Sequence, residues 1–378
     1  MNNSVSFDEV PTDGSINFGI GQPSTDLLPL EIVKVASDHF FKNALPQEIN
    51  YGPAKGDEPF LSSLAAFLSR QYGKQANINS LFTTNGNSQA LDFVCSTFSN
   101  PGDTIFIEEP SYFLAAKIFR DNHLNIVGVP TDEEGLDIDR LEEMLKKNNP
   151  SLLYTIPVYH NPGGQTMSVS KRNRLIELSK KHGFLIIADE VYQMLNYYKK
   201  PPAAFGTMID SHTVVSLGSF SKILAPGMRL GWIQTSPKLI ASLTASGFIN
   251  SGGCVNQFTA NIVRCTMELG LLETHLEIIR DTYRSRLEAM DAALSKAFGE
   301  VMTWTSPKGG YFFWLQLNEN IDTGKLRHRA VDYKTGFQAG ERFSSTGKLK
   351  NYLRLSFACY NEAEIRKGIT RLKGALEL

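Results

Sequence analysis

The chain has 378 residues, enough for two domains with a large core, and its 42% hydrophobic and 20% charged composition is ordinary for a globular fold. A formal net charge of −1 leaves no electrostatic footprint for nucleic acid or an anionic membrane surface, so neither is expected as a partner, and no run of about 18 apolar residues exists to cross a bilayer. The four cysteines (Cys95, Cys254, Cys265, Cys359) and the seven histidines lack metal-ligand or redox spacing, which argues against a metal site or a disulfide framework and suits a reducing compartment.

Residues 1–15 read as a polar arm without the apolar stretch of a signal peptide or the basic pattern of a transit peptide, so a cytoplasmic location is expected. The following Ile16–Pro29 segment is an irregular Gly/Pro-rich loop. Its Gly19-Ile20-Gly21 invites a dinucleotide-binding reading, but Ser24 stands where the third glycine belongs and Pro23 where a helix should open. Glu31–Asn43 has helical spacing, and a Tyr51-Gly52-Pro53 loop leads into a second amphipathic helix.

From about Asn79 to Thr235 short apolar runs alternate with helical patterns. The runs are Leu81–Thr84, Thr104–Glu108, Asn125–Val129, Leu152–Val158, Phe184–Asp189, Thr213–Gly218 and Leu230–Thr235. Ser88–Phe98, Phe113–Asp121, Asp137–Asn148 and Lys171–His182 read as helices between them. This alternation predicts an α/β domain with a mostly parallel, three-layer sheet, whose ligands sit at the carboxyl ends of the strands. Leu272–Ala297 is long enough for a spine helix. The tail then shows three strand-like stretches, around TSPKGGYFFWLQL, KTGFQAGERF and NYLRLSF, and closes with a helix over Glu362–Leu376. That order predicts a smaller α+β domain joined by the N-terminal arm. The boundaries expected are 1–45 for the arm and part of the small domain, 46–285 for the large domain, and 286–378 for the rest of the small one.

Five features fall at the expected strand ends. FTTNGNSQALDF (Phe82–Phe93) runs from strand through Gly86, Asn87 and Ser88 into a helix, either an anion site or an ordinary capped helix start. EEPSYF places Tyr112 where it can stack on a flat ring or pack in the core. YHNPGGQT offers Asn161 as a donor or as a turn residue. FLIIADEVYQ ends an apolar strand in Asp189, a carboxylate that needs a partner there unless it caps a helix, with Tyr192 three residues on. SLGSFSKILAPGMRLGW (Ser216–Trp232) breaks a buried strand around Lys222, with Ser219, Ser221 and Arg229 beside it. A lysine amine there can condense with an aldehyde, and the hydroxyls and guanidinium can hold a phosphate. Pyridoxal 5'-phosphate carries both groups.

The SFSK…PGMRLGW block, HNPGG and ADE-x-Y together resemble the pyridoxal-phosphate-dependent aminotransferases of class I/II, with the aspartate aminotransferase fold (fold type I), from about Phe18 to the end of the chain. The resemblance implies that Lys222 is the Schiff-base lysine and catalytic base, that Asp189 partners the pyridine nitrogen, and that Tyr112 stacks on the ring. It implies that Asn161 and Tyr192 donate to the ring hydroxyl, and that Gly86, Asn87, Ser88, Ser219, Ser221 and Arg229 form the phosphate cup. Arg354 would grip the substrate α-carboxylate, with the Gly21 backbone beside it. Tyr51 would reach across a twofold homodimer to the neighbour's phosphate, giving shared active sites. The reaction implied is ping-pong transfer of an amino group from an L-amino acid to a 2-oxo acid. The same motifs serve lyases, decarboxylases and synthases of this fold, and a cofactor-sensing regulatory module is a further alternative. Two departures are visible: Ala339-Gly340 stands where the family often has Pro-Gly, and Ser251–Cys254 has no assignable role. Arg354 calls for an α-carboxylate. No second arginine can be placed from sequence to meet a side-chain carboxylate, and the general pattern is nearer the aminoadipate/kynurenine/aromatic branch than the aspartate branch.

Overall fold

A computed structural model of the chain describes residues 10–377; most of the expected arm lies outside them. Eight strands form one sheet. In order across it they are Leu81–Thr84, Gly231–Thr235, Val214–Ser219, Leu185–Asp189, Leu152–Thr155, Thr104–Glu109, Asn125–Asp132 and the two-residue Gly135–Leu136. Only Gly231–Thr235 and Gly135–Leu136 run against the rest. The central strands are apolar almost without break because both faces are covered, as a parallel sheet requires.

The two-residue period of each strand divides its side chains between two cores. Phe106, Leu153, Ile186 and Val214 pack with Leu141, Leu145, Leu175 and Leu178, from the helices Ile138–Leu145 and Val169–His182. Ile105, Leu152, Ile187 and Val215 belong to the other core, with Leu91 and Val94 of helix Asn87–Phe98 and Phe119 of helix Phe113–Asp121.

The smaller unit is built on a three-stranded antiparallel sheet, with Tyr352–Ser356 between Phe312–Gln316 and Gln338–Ala339. The N-terminal segment joins it: Ile16–Asn17 pairs in parallel with Thr335–Gly336. Helix Leu271–Phe298 forms the spine, and its buried Arg286 donates to Ser24 Oγ at 2.7 Å and to the Ala358 carbonyl at 2.6 Å, fastening both ends of the chain to it. A helix at Thr323–Asp332 was not expected from the sequence. Its ten residues, TGKLRHRAVD, bury only Thr323 and Ala330, so no apolar stripe announces it. The start signal was present in Asp322, whose carboxylate accepts from the Gly324 and Lys325 amides.

Candidate active site

The parallel strands end on one side of the sheet, and the predicted residues follow those ends. Asp189 is the last residue of its strand and is buried. Its carboxylate accepts from Asn87 Nδ2 at 2.7 Å and from the Tyr154 hydroxyl at 2.9 Å. Burial still wins over these donors and pushes the Asp189 carboxyl up to about 6. Asn87 therefore spends its side chain on Asp189, and what it and Ser88 offer an anion is the start of helix Asn87–Phe98. Tyr154, absent from the sequence reading, carried a signal: a tyrosine in a fully buried strand needs a partner for its hydroxyl.

Lys222 follows strand Val214–Ser219, and its Nζ donates to the Gly21 carbonyl at 2.9 Å. Burial, helped by the positive charge of Arg354, holds its amine down at about 8, against the pull of Asp189. Gly21 is tightly placed: a Cβ there would lie 3.1 Å from Phe312 Cζ and 3.7 Å from Arg354 Nη2.

Arg354 projects from the middle strand of the small sheet and is buried. Its Nη1 donates to Asn161 Oδ1 at 2.9 Å and its Nη2 to the Gly19 carbonyl at 2.7 Å. Asn161 thus turns its acceptor toward Arg354, which leaves its NH2 as the end able to donate elsewhere. The loop carrying Asn161 is held from below by Glu108, which accepts from Thr155 Oγ1 at 2.9 Å and the Ile156 amide at 2.8 Å, and lies 3.1 Å from His160 Nε2. Tyr192 is buried edge-on against Tyr311 and Phe312, with centroids 5.5 and 6.0 Å away. Tyr112 starts helix Phe113–Asp121, and burial first, then the nearby Asp189 charge, lifts its phenol to about 12. It stays a neutral ring at any working pH.

The residues expected to form a phosphate cup converge. Gly86 has φ +79°, and a Cβ on it would come 3.3 Å from Arg229 Nη2. Arg229, in the left-handed region, donates from Nη2 to the Asn85 carbonyl at 3.3 Å. Ser219 Oγ and Ser221 Oγ are 3.0 Å apart. The Ser251–Cys254 segment gains a place here. Gly253 packs on the Gly52 carbonyl, and Asn256 Nδ2 just beyond donates to the Met228 carbonyl at 3.1 Å, bracing the Arg229 turn. Tyr51, beside Gly52, is 83% exposed.

The group these residues fit carries an aldehyde, a phosphate and a basic ring nitrogen. A buried lysine amine with a lowered pKa suits the first. A glycine-backed helix start with two serines and an arginine suits the second. A buried carboxylate whose proton is held unusually tightly gains most from a cationic partner, which suits the third. Among the described residues the buried Asn87 Oδ1 also has no hydrogen-bond partner.

Comparison with known proteins agrees with this chemistry. Residues 13–372 match the sequence profile of the family described as aminotransferase class I and II. The aromatic-amino-acid aminotransferase 1 of Thermococcus litoralis is 35% identical over 369 residues, covering 96% of this chain and 88% of that protein. The crystal structure of Pyrococcus horikoshii kynurenine aminotransferase in complex with PMP superposes with a TM-score of 0.91 at 32% identity, over 97% of this chain and 91% of that one. LysN, the α-aminoadipate aminotransferase of Thermus thermophilus, crystallised with N-(5'-phosphopyridoxyl)-L-leucine, gives a TM-score of 0.87 at 30% identity, over 97% and 92% of the two chains. A profile match over nearly the whole chain, and relatives of this identity on both counts, place the protein in the class I and II aminotransferases, as a pyridoxal-phosphate-dependent enzyme of the aspartate aminotransferase fold.

Proposed function

We propose that this aminotransferase accepts L-amino acids with large side chains, aromatic ones and the longer aliphatic acids among them. The observation carrying this reading is the aromatic wall around Arg354. Its guanidinium lies 4.1 Å from the Phe312 ring centre and 5.1 Å from that of Phe343, and Phe343 in turn packs edge-on with Phe113 and Trp314. A carboxylate held by Arg354 leaves its side chain among rings, where apolar area is worth about 25 cal/mol per Å² buried. The names of the relatives, for aromatic amino acids, kynurenine and α-aminoadipate, point the same way.

Pyridoxal phosphate, when bound, supplies an aldehyde that captures amino groups and a ring that accepts electrons from the substrate's Cα. The chain's own residues supply the rest. Arg354 is pre-oriented by Asn161 and Gly19, so the α-carboxylate meets a fixed fork. Lys222 Nζ, with its pKa near 8, is neutral in a usable fraction at working pH and takes the proton from the substrate Cα. Asp189, aimed by Tyr154 and Asn87, would be the counter-ion for the protonated ring nitrogen. Gly86, Ser88, Ser219, Ser221 and Arg229 would hold the phosphate, Tyr112 would cover the ring, and Tyr192 with Asn161 would donate to the ring hydroxyl.

The functional unit on this reading is a twofold dimer, with Tyr51 completing the neighbouring site and domain divisions near residues 45 and 285. No helix among the described residues is long and apolar enough to cross a membrane, and with four free cysteines the reading includes a cytoplasmic location. The test is a panel of amino acids with 2-oxoglutarate as acceptor. One equivalent of glutamate should form per 2-oxo acid released, fastest with aromatic and long-chain donors. Product formed without any acceptor would overturn it in favour of lyase chemistry.

A further inference from the structure

Tyr311 stands against Lys222 and has no part in the roles above. It directly precedes the strand Phe312–Gln316 of the small sheet and is fully buried. Its ring faces the lysine's amine, with Lys222 Nζ 5.3 Å from the ring centre. Its hydroxyl reaches the other end of the same residue, 3.4 Å from the Lys222 backbone carbonyl. One tyrosine therefore meets both the main chain and the tip of the half-buried lysine. The ring is itself held on several sides. It packs edge-on against Tyr192 at 5.5 Å and against Tyr283 of the spine helix at 5.0 Å, and its hydroxyl lies 3.3 Å from that of Tyr283. Its backbone carbonyl accepts from the Phe357 amide at 3.1 Å, and the Gly310 amide before it donates to the Leu195 carbonyl at 3.1 Å. Gly310 has φ +69°, and a Cβ there would come 2.7 Å from Tyr159 Cβ, so the bend that sets Tyr311 against the lysine needs glycine.

We propose that Tyr311 is a positioning residue for Lys222: its ring face, together with the Gly21 carbonyl, holds the Lys222 ammonium whenever that amine is free of the cofactor. The proposal rests on the aminotransferase reading, in which Lys222 leaves the cofactor's aldehyde and carries a proton. The face of an aromatic ring is negative and attracts a cation within about 6 Å of its centre. With the Gly21 carbonyl accepting at 2.9 Å, the charged head has two partners. Neither is a base able to take the proton that Lys222 holds. The charges facing the amine oppose each other: Arg354 disfavours the ammonium and Asp189 favours it. Tyr311 adds attraction without adding a charge, because burial lifts its phenol well above the usual tyrosine range and keeps the ring neutral. The released amine thus has a fixed place in the site, and its charged form is favoured there.

The experiment uses the full-length apoprotein as wild type, as Tyr311→Phe, and with monofluorinated or trifluorinated phenylalanine at the same position. Fluorine drains the negative face of the ring and barely alters its size, so the packing stays while the attraction weakens. The pKa of the Lys222 amine is read by trace acetylation with acetic anhydride over a pH series, measuring label on the peptide that carries Lys222. Tyr311→Phe keeps the ring and should stay close to wild type. The value should then fall step by step with fluorination, by about one pH unit in all, the size expected of a desolvated cation–π contact. Tyr311→Met fills the space without a ring face and should show the whole fall at once; if it does not fold, the fluorinated series still decides. A pKa that stays the same across the series would overturn the proposal. So would a fall in Tyr311→Phe as large as that with the trifluorinated ring, since the effect would then belong to the hydroxyl. A holoenzyme that releases no 2-oxo acid from any amino acid would instead sink the aminotransferase reading, which the titration does not touch.

Discussion

Asp189 is buried and Lys222 half-buried, the fold disfavours the ordinary charge of each, and the effect can be measured without any reaction. In the apoprotein Asp189 keeps its proton to about pH 6, whereas an unfolded aspartate loses it near 3.8. Between those values the folded chain binds more protons than the unfolded one, so stability falls as pH rises from about 4 to about 6. A difference of that size corresponds to about 3 kcal/mol. The stability difference between wild type and Asp189→Asn, measured by urea unfolding of the apoproteins, should therefore shift by about that amount between pH 4 and pH 7, in favour of the variant at the higher pH. A flat difference would show that Asp189 is not strained. Lys222 carries the opposite sign. Its amine is lowered to about 8 from 10.5, the unfolded chain binds more protons between those values, and apoprotein stability should rise over that window and not do so in Lys222→Met. For function, Lys222→Ala should abolish turnover, checked by 2-oxo acid release. Tyr154→Phe removes one of the two side-chain donors that hold Asp189. It should cost about 1.5–3 kcal/mol, as for a hydrogen bond to a charged group, read as weaker cofactor retention on dialysis.

Elements carry these residues to one place, and one tight join is where Gly231–Thr235 passes between its neighbours. A Cβ on Gly231 would lie 2.6 Å from the Gly218 carbonyl and 3.0 Å from the Gly86 Cα, both backbone atoms that cannot step aside. Gly231→Ala should cost about 1–3 kcal/mol, the usual penalty of overpacking, and should loosen the phosphate cup, since Gly86 and the Arg229 turn are the parts displaced. Thermal unfolding and dialysis of bound cofactor check both effects. The strands themselves were legible, because apolar residues of a sheet covered on both faces leave continuous runs such as Leu152–Thr155 and Val214–Ser219. Candidate site residues at strand ends stood out in the sequence for the same reason: Asp189 and Lys222 come where those runs stop. Arg354 was not, since one arginine in a short strand looks the same whether it faces water or a substrate, and only the resemblance singled it out. Tyr154 and Gln338 escaped because their meaning lies in contacts with residues 35 and 319 positions away in the chain, Tyr154 with Asp189 and Gln338 with Gly19. The helix Thr323–Asp332 escaped for want of an apolar stripe.

At the scale of the molecule, one face is unlike the rest. Leu30, Phe41, Leu45, Ile49 and Tyr51 are 56–83% exposed, and Phe41 packs with Phe258, itself 47% exposed, at 6.0 Å. An apolar face of this kind marks an association surface, and the residues involved also lead into the Gly52–Cys254 contact that braces the Arg229 turn. A second copy packed there would cover the apolar side chains and bring Tyr51 toward the second copy's phosphate cup. A twofold relation would make the contact self-complementary, so that one substitution would act twice. Ile49→Glu places a charge in the middle of the face without touching any buried residue, and the folded chain should survive it. Sedimentation equilibrium should find wild type at twice 42.0 kDa and the variant near the single mass. If the sites are shared, the monomer should also lose cofactor more readily, by about tenfold for one hydrogen bond to phosphate, and Tyr51→Phe in the intact dimer should reproduce that loss with no change in mass. A monomeric variant that keeps full cofactor affinity would mean that each site is complete within one chain. Tyr51 would then be an ordinary interface residue.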